Sequence, residues 1–430
     1  MLFALCSFFI SLSPQKSEFV FKKVLILRRF RVCFLLQQGM TNKHKRKYVL
    51  PAGGDSFQEQ LIDCIGQIDE IKKDNNILQL TFFIRSDHNS DYAEKKKDIL
   101  KALHEHLGRD IPSASVVGQI PDNAELSIEL VYLSKDIESL RIRHKKVDHV
   151  TYTLVESDEE KAIFAGGIAS DEFLFDERAV QAEASFNIMD RILKKESMTF
   201  ADVIRQWNYV EGIVGYNKMS ENRIQNYQAL NDVRSKYYAT ANFVHGYPAA
   251  TGIGMNSGGI ILEFYANKPF VREEIIPIKN PLQKDAYEYS QQVLVGNALP
   301  IQNKKTAPKF ERAKYISAAN DKIIFVSGTA SIKGEMTLGI GDAEIQTKTT
   351  IENIRSLISH ENLQANQILN NYSALMFSSI RVYVKIPSDM DKVREICDAS
   401  FPEVQINYLV ADICRDALLV EIEGIAQLVH

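Results

Sequence analysis

Cysteine is scarce in this chain, and its spacing offers no metal site. The sequence has 430 residues and 5 cysteines; none form a CxxC pair, and none have a histidine at the spacing of a zinc site. This pattern argues against a disulfide framework and against a structural metal. We therefore expect a protein of the reducing cytoplasm that works without a metal ion or other cofactor.

An excess of positive charge is also lacking. The 51 Lys and Arg residues against 55 Asp and Glu give a net charge of -4, and no basic face stands out. Nucleic acid is therefore not an expected partner. The glycine-rich GxGxxG pattern is absent, and the stretch GTASIKG at 328–334 does not fit a P-loop, so no nucleotide phosphate site is predicted.

No apolar run after Met40 is long enough to cross a bilayer. The apolar run Met1–Leu12 is short, and its positive charges follow it, whereas in a signal peptide they come first. We interpret residues 1–39 as a non-native or disordered extension with Met40 as the initiator. A membrane-surface anchor is the alternative.

The chain does contain an internal repeat. The stretches Ile163–Leu193 and Ile324–Ile358 both begin with an apolar strand that runs into a turn of small residues. Both then pass through a polar loop into an amphipathic helix that carries a glutamine, Gln181 or Gln346. A repeat of this length indicates one supersecondary unit used more than once.

Each copy continues with a strand, a helix and a closing strand, and a partial third copy lies upstream. Period-2 alternation marks the strands and apolar periodicity with caps marks the helices. The predicted strands are Leu78–Arg85, Ala124–Leu130, Gln206–Val210, Ile260–Tyr265, Ile380–Lys385 and Leu418–Glu423, and the predicted helices are Tyr92–Leu107, Ser220–Tyr238 and Asp389–Phe401. The sequence thus predicts an α+β fold of about three units, near 45–150, 155–270 and 310–430, with helices packed on one face of mixed sheets.

The segment SGTAS at 327–331 and the closing LLVEIEGIA at 418–426 resemble the YjgF/RidA-like fold. In that family three identical subunits form a trimer with ligand pockets between neighbours. Three such units in one chain imply an intramolecular pseudo-trimer, and unit interfaces are common places for pockets. The expected oligomeric state is then a monomer or a weak homo-oligomer.

A second resemblance covers roughly residues 164–426. The segments that carry it are QWNYV (206–210), NYQALNDVRSKYY (226–238), GYPAATGIGM (246–255), KFERA (309–313), SGTASIKG (327–334) and ADICRDALLVEIEG (411–424), and they resemble the chorismatases. This resemblance implies cleavage of the enolpyruvyl ether of chorismate, which releases pyruvate and a hydroxybenzoate or a dihydroxycyclohexadiene carboxylate for secondary metabolism such as pigment biosynthesis. Which of these products forms stays open.

Chorismate carries two carboxylates, so a site for it needs fixed cations. Arginine suits this task because its planar guanidinium can bind a carboxylate through two hydrogen bonds. Arg234 and Arg312 lie in the family-like segments, and Arg415 is a further candidate. Tyr227 could bind a hydroxyl or a carboxylate. Each of these residues could instead have no role in ligand binding. A helical arginine is often solvated or salt-bridged, and a helical tyrosine is often half-buried and only packs against its neighbours.

The small residues of Pro248–Gly254 predict a loop just before a strand. Glycine allows the backbone to approach a ligand closely, so Thr251 and Gly254 are candidate binding residues in this loop. The same small residues are equally compatible with a tight turn that contacts no ligand.

Cleavage of an enol ether needs a general acid, and a glutamic acid in apolar surroundings would serve. The resemblance implies that this acid follows SGTAS in a segment close to Gly-His-Glu-Ser, but the chain reads GEMT at 334–337. Met336 then occupies the acid position and cannot transfer a proton. Glu335 is adjacent, although neighbouring side chains on a strand point to opposite faces. Glu421 or Glu423 on the closing strand is the other candidate for the acid.

Three interpretations therefore stay open. Glu335 could act as a displaced acid with Glu421 as the alternative donor, the reaction could differ while chorismate binding persists, or catalysis could be lost. The competing function class is a RidA-like protein that binds a small carboxylate, or an imine deaminase without chorismatase activity. Met336 is the residue that favours this class.

Overall fold

The computed structural model describes residues 44–108, 110–137, 139–170, 177–216, 224–270, 274–294, 304–318, 321–368 and 374–429. The predicted extension at 1–39, and the first residues of the helix predicted to begin at Ser220, lie outside this described part. Among the described residues, no helix combines the length and hydropathy that a membrane crossing requires.

The described helices are α1 (Phe57–Asp74), α2 (Asn89–Leu107), α3 (Arg178–Lys195), α4 (Asn226–Tyr238), α5 (Ala343–Leu357), α6 (His360–Ala365) and α7 (Met390–Ser400), with short 3-10 turns at Phe200–Asp202, Ala286–Glu288 and Pro387–Asp389. The described strands are β1 (Lys45–Val49), β2 (Asn75–Ile84), β3 (Ser113–Val117), β4 (Ile120–Pro121), β5 (Leu126–Ser134), β6 (Arg141–Val147), β7 (Val150–Glu156), β8 (Glu160–Ala169), β9 (Val203–Glu211), β10 (Ala249–Met255), β11 (Ile260–Pro269), β12 (Glu274–Ile278), β13 (Ala313–Ala318), β14 (Asp321–Ala330), β15 (Ile332–Lys333), β16 (Met336–Thr337), β17 (Ala374–Val384), β18 (Ile406–Val410) and β19 (Val420–Val429).

Three large mixed sheets form the body of the protein. Their strand orders are β1-β5-β2-β3, β10-β9-β11-β8-β7-β6 and β12-β13-β14-β19-β17-β18-β4. Each contains one parallel pair of strands joined through a helix, followed by an antiparallel closing strand. A parallel pair requires such a crossover, which explains why the sequence alternates between strand and helix periodicity here. The predicted α+β class with mixed sheets is confirmed.

The repeat is visible in the order of elements. The series β2–α2–β3–β5, β9–α4–β10–β11 and β17–α7–β18–β19 each end in the closing strand. Glu129, Glu263 and Glu423 occupy matching places on the closing strands, opposite Thr81, Trp207 and Arg381 respectively. We propose that the three sheets correspond to the three predicted units, although β4 from the first joins the sheet of the third.

The three sheets pack on one another in a ring. Strand β3 packs on β8, β10 packs on β14, and β1 packs on β17. Buried apolar residues fill the spaces between sheets and under the helices. The inner faces of the closing strands therefore meet in the middle of the molecule, where buried polar groups are costly unless they are paired.

The prediction of a loop at Pro248–Gly254 is wrong, because Ala249–Met255 forms the edge strand β10, which pairs in parallel with β9. Glycine is tolerated in an edge strand where another group approaches closely. At Gly252 an added Cβ would collide with the ring of Tyr227, and at Gly254 it would collide with the backbone of Asp412. These glycines thus serve close packing inside a strand.

Candidate active site

A pocket opens between the second and third sheets. Together with its mouth it holds about 630 Å³ of space that protein atoms do not fill, part of which is open to solvent. Helix α4 forms one wall, and β14, β19 and the segment 412–418 form the other. The polar side chains that line it are those of Gln225, Tyr227, Gln228, Asn231, Tyr289, Arg312, Arg415 and Glu421.

Four of the predicted site residues line this pocket: Tyr227, Arg312, Arg415 and Glu421. They come from three separate segments of the chain, which the fold brings together. With Tyr289, the pocket therefore contains two arginines, two tyrosines and one carboxyl group at a single interface between sheets.

Three predicted residues lie behind the lining. The guanidinium of Arg234 is buried and donates a hydrogen bond to Asn231 Oδ1, which places it under the wall formed by α4. The Thr251 hydroxyl accepts a hydrogen bond of 3.0 Å from the Gly328 N–H. The Gly254 N–H donates a 2.7 Å hydrogen bond to Asp412 O and so fixes one end of the segment 412–418.

Glu421 is the buried carboxyl of the pocket. It lies on β19 opposite Ala330 of β14 and Tyr383 of β17, and only 4% of the residue is exposed. Burial first, and the negative charge of Glu423 second, raise the pKa of Glu421 to about 8, although Arg205 and Arg312 act in the opposite direction. The carboxyl group is therefore mostly protonated at neutral pH and can donate a proton.

The backbone leaves room for this carboxyl only because residue 328 is glycine. A Cβ added at Gly328 would overlap Glu421 Oε1 and come within 3.1 Å of Thr251 Cγ2. The small residues at 327–329, predicted as a turn, instead lie within strand β14, where its pairing with β19 shifts register between Val326 and Thr329. The carboxyl of Glu421 meets β14 at this irregularity.

Both pocket arginines lie against the same aromatic ring, that of Tyr289. The guanidinium carbon of Arg312 lies 5.5 Å from the centre of the Tyr289 ring, and that of Arg415 lies 5.0 Å from it. Arg312 Nη2 donates a 2.7 Å hydrogen bond to the Tyr289 hydroxyl, and its Nε donates a 3.2 Å bond to Lys284 O. These contacts fix two cations beside the pocket, as recognition of a dicarboxylate requires.

Tyr289 was missed by the sequence analysis. It follows the 3-10 turn Ala286–Glu288, outside every segment that resembles the chorismatases, and only the path of the chain over the third sheet brings it to the arginines. No local pattern in the sequence marks it as a site residue.

Glu335 and Met336 lie outside the pocket lining. The Glu335 carboxylate accepts a 2.9 Å hydrogen bond from the Ser290 N–H and lies 3.4 Å from Lys284 Nζ. The bond from Ser290 lowers the pKa of Glu335, so this group is ionised at neutral pH. Met336 is 61% exposed on the short strand β16. The presence of methionine at position 336 therefore does not decide whether the pocket contains a proton-donating side chain.

Gln346, the glutamine singled out in the repeat, holds the segment that carries Arg415. Its Nε2 donates hydrogen bonds to Gly339 O (3.1 Å) and Ala417 O (2.7 Å), and its Oε1 accepts one of 2.7 Å from the Leu419 N–H. Gln60 on α1 accepts a 2.8 Å bond from the Glu125 N–H in the same manner, just before β5. The glutamine thus sets the start of the closing strand.

Cys414 also lines the pocket, next to Arg415. Burial first, and the negative charge of Glu421 second, raise the pKa of the Cys414 thiol to about 12. A thiol is a weak nucleophile until it ionises, so this side chain acts as a small neutral surface.

The other closing strands lack a carboxyl at the place of Glu421. Two residues before Glu263 the chain has Ile261, and two residues before Glu129 it has Ser127. Of the three matching positions, only that between the second and third sheets carries an acid.

The fold and this pocket define a class: the chain is an α+β protein with the chorismatase fold. A crystal structure of a chorismatase matches it with a TM-score of 0.64 and 21% sequence identity, and the match covers 89% of this chain and 98% of that chain.

Sequence comparison points to the same group. Residues 139–266 match the family model described as chorismatase FkbO/Hyg5-like, N-terminal. The chain is 35% identical over 236 residues to a 3-hydroxybenzoate synthase of Streptomyces hygroscopicus, and 32% identical over 233 residues to a chorismatase of Streptomyces rapamycinicus. These alignments span 54% and 53% of this chain and 65% of each relative, less than two thirds of the relatives' length. The predicted resemblance to the chorismatases is confirmed.

Proposed function

We propose that this protein cleaves the enolpyruvyl ether of chorismate and releases pyruvate with a hydroxybenzoate or a dihydroxycyclohexadiene carboxylate. The observation that carries the proposal is the buried Glu421 carboxyl, protonated at neutral pH and placed in one pocket with Arg312 and Arg415. The names of the relatives, a 3-hydroxybenzoate synthase and a chorismatase, support the same substrate. A cytoplasmic location and a monomeric or weakly oligomeric state stay predictions.

The arginines would bind the two carboxylates of the substrate. Arg312 and Arg415 are restrained by Tyr289 and by backbone carbonyls, so little side-chain freedom is lost when a carboxylate binds. The Tyr227 hydroxyl, whose pKa is raised by burial, stays neutral and would donate a hydrogen bond to a ring hydroxyl or a carboxylate.

Glu421 would supply the proton. Its transfer to the methylene carbon of the enolpyruvyl group leaves an oxocarbenium ion, which water or a ring hydroxyl then traps. When water adds, the hemiketal collapses to pyruvate and the ring alcohol, and the proton released by the water returns to Glu421. The positive charge of Arg312, which already lowers the pKa of Glu421, stabilises the carboxylate formed during this step.

The pH dependence of the reaction follows from the raised pKa. Because only the protonated carboxyl can act, we expect kcat/KM for pyruvate release to stay level near neutral pH and to fall as pH rises through about 8, with the loss of one proton. Initial rates from pH 5.5 to 9.5 measure this profile. Rates that already fall steadily as pH rises from 5.5, as expected for an acid with the ordinary glutamate pKa of about 4.3, would contradict this assignment of the acid.

The glycine beside the acid offers a second test. In Gly328→Ala the added methyl overlaps the Glu421 carboxyl, so the carboxyl must move. We expect kcat to fall by about 10²-fold, because a displacement of about 1 Å is enough for such a loss. Gly66→Ala is the matched control, since an added Cβ there meets no atom within 4 Å. Equal activity in both variants would contradict the proposed position of the acid.

The test of the whole proposal is pyruvate release from chorismate by the purified protein, with the organic product identified by chromatography. Release of pyruvate with either ring product supports the proposal. Saturable chorismate binding without release, or turnover of 2-aminoacrylate-type imines without reaction on chorismate, would establish the competing function class instead.

A further inference from the structure

A second, smaller cavity lies where the inner faces of the sheets meet. About 200 Å³ there is not filled by protein atoms, part of it open to solvent, and no lining residue is shared with the pocket of Glu421. All three sheets contribute to its lining: the first provides Tyr48 and Glu129, the second Arg205 and Trp207, and the third Ser379, Arg381 and Glu423. Nothing in the proposed reaction uses this cavity.

The carboxylates around the cavity already have partners. Glu423 accepts hydrogen bonds from Trp207 Nε1 (2.9 Å) and the Tyr383 hydroxyl (3.0 Å) on one oxygen. Its other oxygen accepts from Arg205 and from the Thr251 hydroxyl. A carboxylate has about four acceptor positions, so Glu423 has no capacity left for another donor.

Some hydrogen-bond donors beside the cavity, by contrast, have no acceptor. In the described part of the chain, Arg205 Nε, Arg205 Nη1 and Arg381 Nη2 are buried and have no hydrogen-bond partner. The two residues are only 1% and 2% exposed. A buried donor on a charged group is costly to leave unpaired, so three such groups beside one cavity indicate a missing acceptor.

The charged groups in the cavity lining are Arg205, Arg381, Glu129 and Glu423, and Arg46 lies outside the lining. Arg46, Arg205 and Arg381 are positive, and Glu129 and Glu423 are the carboxylates paired with them. The pKa of Glu129 is lowered to about 2 despite its burial, by Arg381 first and Arg46 second, so it is fully ionised. Glu263 accepts hydrogen bonds from the hydroxyls of Thr81 and Ser115 and, like Arg46, does not line the cavity. The positive charge of Arg381 also acts on Glu263, whose pKa is raised by burial to about 7. The unpaired N–H groups of Arg205 and Arg381, rather than an excess of positive charge, are therefore what favours an anion in the cavity.

The two guanidiniums share partners, since both form ion pairs with Glu423 and both lie over the ring of Trp207. Their central carbons lie 4.5 Å (Arg205) and 5.1 Å (Arg381) from the centre of the Trp207 ring. Burial first, and then the nearby positive charge of Arg381, lower the pKa of Arg205, although Glu423 opposes them. An anion between the two groups would relieve this repulsion.

A water molecule fits these groups less well than an anion does. Water brings two protons that need acceptors, and the unpaired groups here are donors only. An anion accepts from all of them. We propose that the cavity between Arg205 and Arg381 is a binding site for a small monovalent anion of about the size of chloride.

The direct test is anomalous diffraction from crystals of the whole protein in which chloride is replaced by bromide. We expect an anomalous peak within hydrogen-bonding distance of Arg205 Nη1 and Arg381 Nη2. A cavity that contains an ordered water and no anomalous signal at high bromide concentration would overturn the proposal. A weak signal that disappears when bromide is lowered to about 10 mM would identify an adventitious ion only and would also overturn it.

The same site predicts an effect in solution. Protein transferred to a buffer whose anion is too large for the cavity, such as gluconate, should gain a saturable increase in Tm of about 2 °C or more when chloride is added at constant ionic strength. The bulkier sulfate should not reproduce it. A Tm that does not respond to chloride, or that responds equally to sulfate, would contradict the site.

A cavity-filling variant controls for anions bound elsewhere. Ser379 lines the cavity without pairing to either arginine, so Ser379→Val should occupy part of its space and leave the ion pairs of Arg205 and Arg381 intact. We expect this variant to fold, as shown by an unchanged circular dichroism spectrum, and to lose the chloride dependence of Tm. A folded variant that keeps the full dependence would place the anion at another site.

Discussion

Replacing Glu421 by glutamine is expected to lower kcat for pyruvate release from chorismate by about 10²–10⁴-fold, the range in which general acids contribute. The amide has nearly the same shape as the protonated carboxyl and is equally neutral, so the fold should tolerate it in this buried position. It cannot, however, transfer a proton to carbon. Initial rates measure the loss, and calorimetry should show chorismate affinity within about 3-fold of the wild type, because the arginines are unchanged.

Glu335→Gln is the matched control for this experiment. Its carboxylate accepts a hydrogen bond from the Ser290 N–H and is ionised at neutral pH, outside the pocket lining. We expect this variant to keep most of its activity. If Glu335→Gln were inactive while Glu421→Gln retained its rate, the acid would be Glu335 and the proposed geometry of the reaction would be wrong.

The repeated architecture could be predicted from the sequence because each unit uses the same local signals. Alternating strands, amphipathic helices and the buried glutamine at 181 or 346 occur in the same order, and the structure contains that order. Helix α1 was missed although Ser56 and Glu59 form a capping box at its start. The small-residue segments at 165–167 and 327–329, which mark the other copies, lie in strands β8 and β14 and not in the predicted turns. The first unit lacks such a segment, so it seemed incomplete.

Strand β10 is an element that local strand propensity does not predict. Its sequence of alanine, threonine and glycine resembles a turn, because small residues have low strand propensity. The strand forms because it pairs with β9 and because the ring of Tyr227 and the backbone of Asp412 need the space above its glycines. This need for small residues comes from the packing of α4 and the segment 412–418 against β10. Because these segments are distant from β10 in sequence, the local sequence around β10 does not show it.

The chemistry of the candidate site could be predicted, but the choice of acid could not. The sequence placed Tyr227, Arg312 and Arg415 among the candidates because they lie in segments that resemble a known family. Glu335 and Glu421 are the same residue type. Burial between β14 and β17 first, and the charge of Glu423 second, raise the pKa of Glu421, whereas the hydrogen bond from Ser290 lowers that of Glu335. Burial depends on distant neighbours, so the two glutamates become distinguishable only in the folded chain.

Replacing Arg312 by methionine is expected to lower kcat/KM by about 10²–10³-fold, mainly through KM, since a buried charge-assisted pair contributes roughly 2–4 kcal/mol. Methionine keeps most of the side-chain volume but removes the charge. Arg312 is also one of the groups that lower the pKa of Glu421. The fall of the pH profile should therefore move above pH 8 in this variant, which a purely structural role for Arg312 would not produce.

Arg312→Lys separates the two roles of this residue. Lysine keeps a positive charge near Glu421, so the pH profile should stay close to that of the wild type. It cannot bind a carboxylate through two parallel hydrogen bonds or maintain both contacts of the guanidinium with Lys284 O and Tyr289, so KM should still rise. A methionine variant with unchanged KM and an unmoved pH profile would show that Arg312 neither binds the substrate nor acts on Glu421. The carboxylate would then have to be bound by Arg415, and Arg415→Met should show the loss that Arg312→Met did not.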